Sequence, residues 1–226
     1  EEDRKGKNLE TKDLIEAKVV ELGNFNPSRD LADDTKVVVL ANAEKLEEAQ
    51  AEALLSFTLN GGGLWICHGD QVNAEWYNRS LGPDGSNLLP LQLRNLGGSL
   101  TDDSIRTRVV AAHFDHPALS LFNDPRNGNL ADADVWRWQR LEEPQDLMEK
   151  ETTSLARFET GDPFLAERKI GKGLVMQMST SADGDWNNFP VRACFLPLIQ
   201  QIASYLANQV TPPRNLPTGS TITHYL

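Results

Sequence analysis

Cys67 and His68 are adjacent in the segment Gly61-Gly62-Gly63-Leu64-Trp65-Ile66-Cys67-His68-Gly69-Asp70-Gln71, the one stretch with the residue types of nucleophilic catalysis. A thiol at a sharp strand-to-helix turn stands above a sheet's carboxyl edge. There, backbone N–H groups and the next helix N-terminus lower its pKa and hold an oxyanion. Cys67 ends the apolar run Leu64-Trp65-Ile66, and His68 is the base next to it. A working triad also needs an acid to orient the base, and none is identified by spacing. The plainer reading of the same residues is a small side chain tolerated where a strand meets a tight turn. Asn42, which follows the run 36–41, together with Gly69, Asp70, Gln71, Asp185 and Trp186, is expected to line a small-ligand site at this edge.

Other residues of chemical interest read as structural. His113 and His116 flank Asp115, but they lie at a strand end before Pro117, where no helical face aligns them, so no metal site is expected. Asp183-Gly184-Asp185-Trp186-Asn187 starts like a calcium loop. Its sixth position is Asn188 instead of Gly and its twelfth is Cys194 instead of Glu, which excludes an EF-hand. Gly171-Lys172-Gly173 lacks the Ser or Thr and the helix of a phosphate loop and reads as a hairpin turn. Trp136 and Trp138 share one strand face beside Arg137 and Arg140. Core filling is the favoured role for them, with an aromatic-basic surface as the alternative. Cys194 sits on an apolar stripe as a small hydrophobe.

The elements that must position these residues follow from periodicity. Lys36 to Ala41 is an unbroken β-branched run, the pattern of a parallel strand covered on both faces. The segment 44–59 has helical spacing after Asn42 as N-cap, and Gly61-Gly62-Gly63 ends it before the strand Leu64 to Cys67. Together they make a βαβ unit and imply a parallel sheet. The segment 14–22 reads as a strand, with a short helix as alternative, and 82–130 as long loops with one strand at Arg106 to Ala112. Alternation at 133–138, 155–158, 164–170 and 174–178 predicts antiparallel hairpins. Val191, Cys194, Phe195, Leu198, Ile199, Ile202, Tyr205 and Leu206 predict an amphipathic helix docked on the sheet, closed by Pro212 and Pro213.

Composition limits the function. The 226 residues suffice for one large α/β domain. Lys and Arg total 22 against 33 Asp and Glu, and the net charge of -11 repels phosphate backbones and anionic lipids, so nucleic acid is excluded as a partner class. Two cysteines make no disulfide framework. No run approaches the roughly 18 apolar residues of a membrane span. The charged start (1–13) and the trailing 211–226 read as the flanks of a piece of a longer protein whose missing parts include membrane spans.

Ile66-Cys67-His68-Gly69 with Gln71 resembles the nucleophile elbow of class I glutamine amidotransferases and of the related intracellular-protease-like branch. The amidotransferases take their base from a late His-x-Glu pair. None of His68, His113, His116 and His224 is followed by Glu at that spacing, which leaves the adjacent His68 as in the protease-like branch. A longer pattern covers most of 35–210. It includes Val37 to Asn42, Gly61 to Leu64, Gly69-Asp70 with Val72, Trp76-Tyr77-Asn78, Leu88-Leu89-Pro90, His116 to Leu119, Gly161 to Leu165, Gly171 to Val175, Asp185 to Asn188 and Phe195 to Leu198. It resembles the glutamine-amidotransferase-like domain of large bacterial membrane proteins related to the BatA-type aerotolerance proteins, common in planctomycete-like bacteria.

That resemblance implies a flavodoxin-like, class I glutamine amidotransferase-like α/β three-layer sandwich, with a mostly parallel sheet, an antiparallel extension and one domain over 1–226. In the family the elbow position is often not cysteine, so no catalytic residue is carried over, and the opening strand that precedes the region 14–22 is absent here. The implied function is a non-catalytic interaction or ligand-binding module of a membrane-anchored bacterial protein, extracytoplasmic, binding a protein partner or small ligand and needing no cofactor. The alternative is a cysteine-dependent hydrolase or amidotransferase using Cys67, His68 and an acid from elsewhere in the fold.

Overall fold

Strand β1 (Val37–Ala41), helix α2 (Glu48–Leu59) and strand β2 (Gly63–Cys67) form the βαβ unit expected from the sequence, with β1 and β2 parallel and in register Val37 to Gly63. The computed structural model describes residues 15–207 apart from 33, 103–104, 111–112 and 144–151. Before the unit come, among the described residues, a 3-10 turn (Leu22–Asn24) and a short helix, α1 (Pro27–Asp30). After it come α3 (Ala74–Trp76), β3 (Gln92–Gly98), β4 (Arg137–Glu142), β5 (Thr152–Arg157), β6 (Pro163–Ile170), β7 (Gly173–Met178) and α4 (Phe195–Leu206). The main sheet runs β1-β2-β7-β6-β5, and β3 and β4 make a separate two-stranded sheet. β1, β2 and β7 are mutually parallel, while β7–β6 and β6–β5 are antiparallel. The sheet is therefore parallel at one end with an antiparallel extension at the other.

The pleat sends alternate side chains to opposite layers. Leu64, Ile66 and Val175 join Ala51 and Leu54 of α2 in one buried cluster. Trp65, Cys67, Met176 and Met178 join Leu198, Ile202 and Leu206 of α4 in the other. Three layers result, with α2 and α4 on opposite faces. Burying each large apolar side chain contributes about 1.5–3 kcal/mol, which is why the amphipathic stripe of α4 was sufficient to predict its docking.

Several expectations are corrected. The strand expected over 14–22 does not form among the described residues: 15–21 are irregular with Val19 95% exposed, and only Leu22, opening a single 3-10 turn (Leu22–Asn24), packs against the α2-side cluster. β1 is an edge strand with one face only partly covered, leaving Val39 47% exposed. Helix α2 starts at Glu48, capped by Glu47 in a reciprocal box with Gln50, because the chain first turns through Asn42 in the left-handed region (φ 51). Helix α4 starts at Phe195, leaving Val191 outside it and 81% exposed.

The sequence reading also missed β3, whose Gly97 and Gly98 read as a loop. The ring of Trp138 on β4 lies where a Cβ at Gly97 would stand, so only glycine admits the pairing. β4 lies C-terminal to the expected 133–138 run. Around Arg106 to Ala112 the described residues form only isolated bridges, Thr107 to Val135 and Val109 to Phe158. Pro212 and Pro213 lie outside the described residues. No helix among those described is long and apolar enough to cross a membrane.

Candidate functional site

Cys67 is the last residue of β2, opposite Ala41 of β1 and Met178 of β7, and only 1% exposed. Its side chain belongs to the α4-side cluster. Burial, reinforced by the negative charge of Asp183, pushes the thiol far above its ordinary range. An elbow needs a strained nucleophile at a helix N-terminus. Here, among the described residues, the only non-glycine ones with positive φ are Asn42 and Asn87, and the next helix begins only at Ala74, capped by Asn73, with α3 running on as a π-helical stretch to Leu81. The elbow expected from the sequence is not built.

His68 projects to the other face. It is completely buried, meets the ring of Tyr77 edge-on at 6.0 Å, and its Nε2 lies 3.0 Å from Nε2 of Gln177. Gln177 lies on β7 between Met176 and Met178, so it too faces the α2 side. Leu91 settles how the Gln177 amide is oriented. Its N–H donates to Gln177 Oε1 (2.8 Å), and its carbonyl accepts from Gln177 Nε2 (3.1 Å). The amide therefore donates to His68 Nε2, the imidazole carries its proton on Nδ1, and that buried N–H has no hydrogen-bond partner among the described residues. Burial pushes the His68 pKa down to about 3. Cys67 and His68 are neighbours in sequence, yet one serves the α4 layer and the other the α2 layer.

The remaining edge residues expected at a ligand site bond to each other. Asn42 donates its backbone N–H to the Cys67 carbonyl (3.0 Å) and its side-chain amide to Asp70 (2.8 Å), and it accepts from the Gln71 backbone N–H (2.9 Å). A Cβ at Gly69 would lie 2.3 Å from the Asn42 side chain, so glycine there is what lets the two loops touch. Asn42→Ala removes two hydrogen bonds and leaves alanine in the left-handed region. The expected loss is about 2 kcal/mol, read as a lower urea midpoint, with Asn42→Gly recovering part of it. Equal midpoints for Asn42→Ala and the parent would show that the clasp contributes nothing.

Beyond β7 the segment 179–189 closes the same edge. Ser179, Thr180, Ser181 and Asn187 are all buried. Asn187 donates to the Ser181 carbonyl (2.8 Å) and Thr180 Oγ1 (3.2 Å), and it accepts from the Phe189 N–H (2.9 Å). Trp186 is 1% exposed, with the Arg137 guanidinium 5.9 Å from its ring centroid. Asp185 contributes its carbonyl to the indole N–H of Trp136 (2.8 Å). Trp186 was expected to line a pocket with Cys67 and His68, and instead it fills the edge. Two open grooves lie elsewhere. One of about 590 Å³ runs across the amino ends of β1 and β2, and one of about 520 Å³ lies beside α2.

Sequence reasoning did not name Gln177 or Ser181, and it named Tyr77 and Asn187 only within longer motifs, with no role of their own. The one available signal was a glutamine between two methionines in a strand covered on both faces, where a buried amide must find partners. Tyr77 donates its hydroxyl to the Ala43 carbonyl (2.9 Å). The histidines at 113 and 116 go separate ways. His113 lies 3.4 Å from Asp115, and His116 lies 3.5 Å from Glu167 and 3.3 Å from the Tyr205 hydroxyl. Among the described residues, no group of three or more His, Cys, Asp or Glu is arranged to hold a metal. Cys194 is buried against α4, as its stripe position implied.

Fold and edge define the class: a three-layer α/β domain whose sheet carries a filled carboxyl edge. Its fold is similar to that of a cytoplasmic protein from Salmonella typhimurium (TM-score 0.58, 12% identity, covering 76% of this chain and 71% of that one). A second cytoplasmic protein, from Salmonella typhimurium LT2, gives a TM-score of 0.56 at 13% identity with the same coverage. A beta-galactosidase from Bacillus circulans sp. alkalophilus gives 0.52 at 18% identity. That match covers 81% of this chain but only 24% of the galactosidase, so the chain spans about a quarter of it. At these identities the likeness is one of fold alone. No family model matches the chain, and no curated protein matches it in sequence.

Proposed function

We propose that this domain is a non-catalytic interaction module built on a flavodoxin-like, class I glutamine amidotransferase-like sandwich, of the kind carried by BatA-type bacterial membrane proteins. By the same resemblance it acts outside the cytoplasm, tethered through segments beyond residues 1–226. The observation that carries the non-catalytic reading is the division of Cys67 and His68, at the end of β2, between opposite faces of the sheet, both buried. A nucleophile and its base must share a proton within hydrogen-bond reach, and both must meet the substrate. An arrangement that sends them to different layers and buries both denies the pair both requirements.

Iodoacetamide labelling of Cys67 across a pH series, read by mass spectrometry with Cys194 as the buried internal control, tests this reading. The expected result is labelling no faster than that of Cys194, with no midpoint below the roughly 8.5 of a free thiol. A midpoint well below that value would reveal an activated thiolate, overturn the reading and restore the cysteine hydrolase.

A further inference from the structure

The groove beside α2 gives the interaction module a partner chemistry. One wall is α2, contributing Glu48, Ala51, Glu52 and Leu55. Trp76, Ser80 of the π-helical stretch that continues α3, and the turn residues Gly85 and Ser86 make the other side. Glu48 and Glu52 are both exposed and stand one helical turn apart, where like charges repel and destabilise a helix by a few tenths of a kcal/mol. Neither has an ion-pair partner among the described residues, and the nearby pair Arg79–Glu75, at 3.8 Å, is internally balanced. Trp76 is half-buried and lines the same groove, as does the part-buried Ser86, whose Oγ has no hydrogen-bond partner among the described residues.

We propose that this groove docks a protein segment presenting an arginine or lysine, whose aliphatic stem lies over Trp76 and Leu55 while its charge meets Glu48 and Glu52. Charge complementarity selects this occupant: two carboxylates without ion-pair partners among the described residues repel an anionic segment, and a purely apolar one would bury them unpaired. A cation over a tryptophan face adds attraction that a neutral side chain lacks. The net charge of -11 steers the same class of partner toward the surface. The inference rests on the interaction-module reading and names what that module binds.

Anisotropy of a fluorescein-labelled tetra-arginine peptide, titrated with the whole chain at 50 and 150 mM salt, tests the site. Saturable binding is expected, weakened at least tenfold by Glu48→Gln with Glu52→Gln and several-fold by Trp76→Leu. Asp115→Asn with Glu159→Gln, which removes the same charge far from the groove, is expected to leave binding within twofold. Failure to saturate would overturn the proposal, as would equal losses in the two double variants, which would mean attraction to net charge alone. Glutamine at exposed helix positions leaves the fold intact, so the Glu48 and Glu52 variant decides the matter even if Trp76→Leu fails to fold. A silent Cys67 with no peptide binding would discard the groove and keep the non-catalytic reading, whereas a reactive Cys67 would discard that reading whatever the peptide does.

Discussion

Lowering the pH from 7 toward 4.5 is expected to remove roughly 2–3 kcal/mol of stability through His68 alone. The imidazole is completely buried, and burial holds its folded pKa at about 3, against about 6.5 in the unfolded chain. The folded state therefore binds fewer protons than the unfolded state throughout this window, and stability rises with pH. The contribution is complete above pH 6.5 and falls by about 1.4 kcal/mol per unit as the pH drops toward 3. Protonation would also set an N–H of the ring against the Gln177 amide, which already donates to it, and turning that amide would break both bonds to Leu91. Urea midpoints at pH 5 and 6.5 for the parent and His68→Gln provide the check. The variant should lose stability at neutral pH but show a flatter pH slope. Identical slopes would mean that His68 does not control acid sensitivity.

Trp186→Ala is expected to cost about 3–5 kcal/mol, a large fraction of a domain's total stability. The ring is fully buried at the carboxyl edge and supports the Arg137 guanidinium. Its backbone N–H donates to Ser181 Oγ (3.2 Å), and its carbonyl accepts from the N–H groups of Trp136 (3.0 Å) and Arg137 (3.2 Å). Removing the ring leaves a cavity beneath the segment that seals the edge, with the Ser181, Thr180 and Asn187 bonds above it. Trp136→Ala, at a half-buried ring, should cost a third as much or less. A loss below about 1 kcal/mol for Trp186→Ala would show that the segment closes without it.

The elements that repeat locally were legible. The β-branched run of β1, the α2 spacing ended by glycines and the stripe of α4 each encode their burial in consecutive residues, and each formed where expected to within a few positions. β3 was not legible, because Gly97 and Gly98 acquire strand geometry only through Trp138, some forty residues away. At the site, the residue types at 67 and 68 suggested catalysis. Whether two adjacent side chains cooperate depends on where the strand ends and which layers cover it.

The residues alone determined a βαβ core, an antiparallel second half and a net charge of -11, because periodicity and charge are local or additive properties. Only the tertiary structure decided that Cys67 and His68 part company, that Asn42 clasps two loops instead of capping a helix, and that Trp186 fills the edge it was expected to line. Those outcomes rest on contacts between β2, β7 and the segments that follow them, which are distant in sequence and meet only when the sheet assembles.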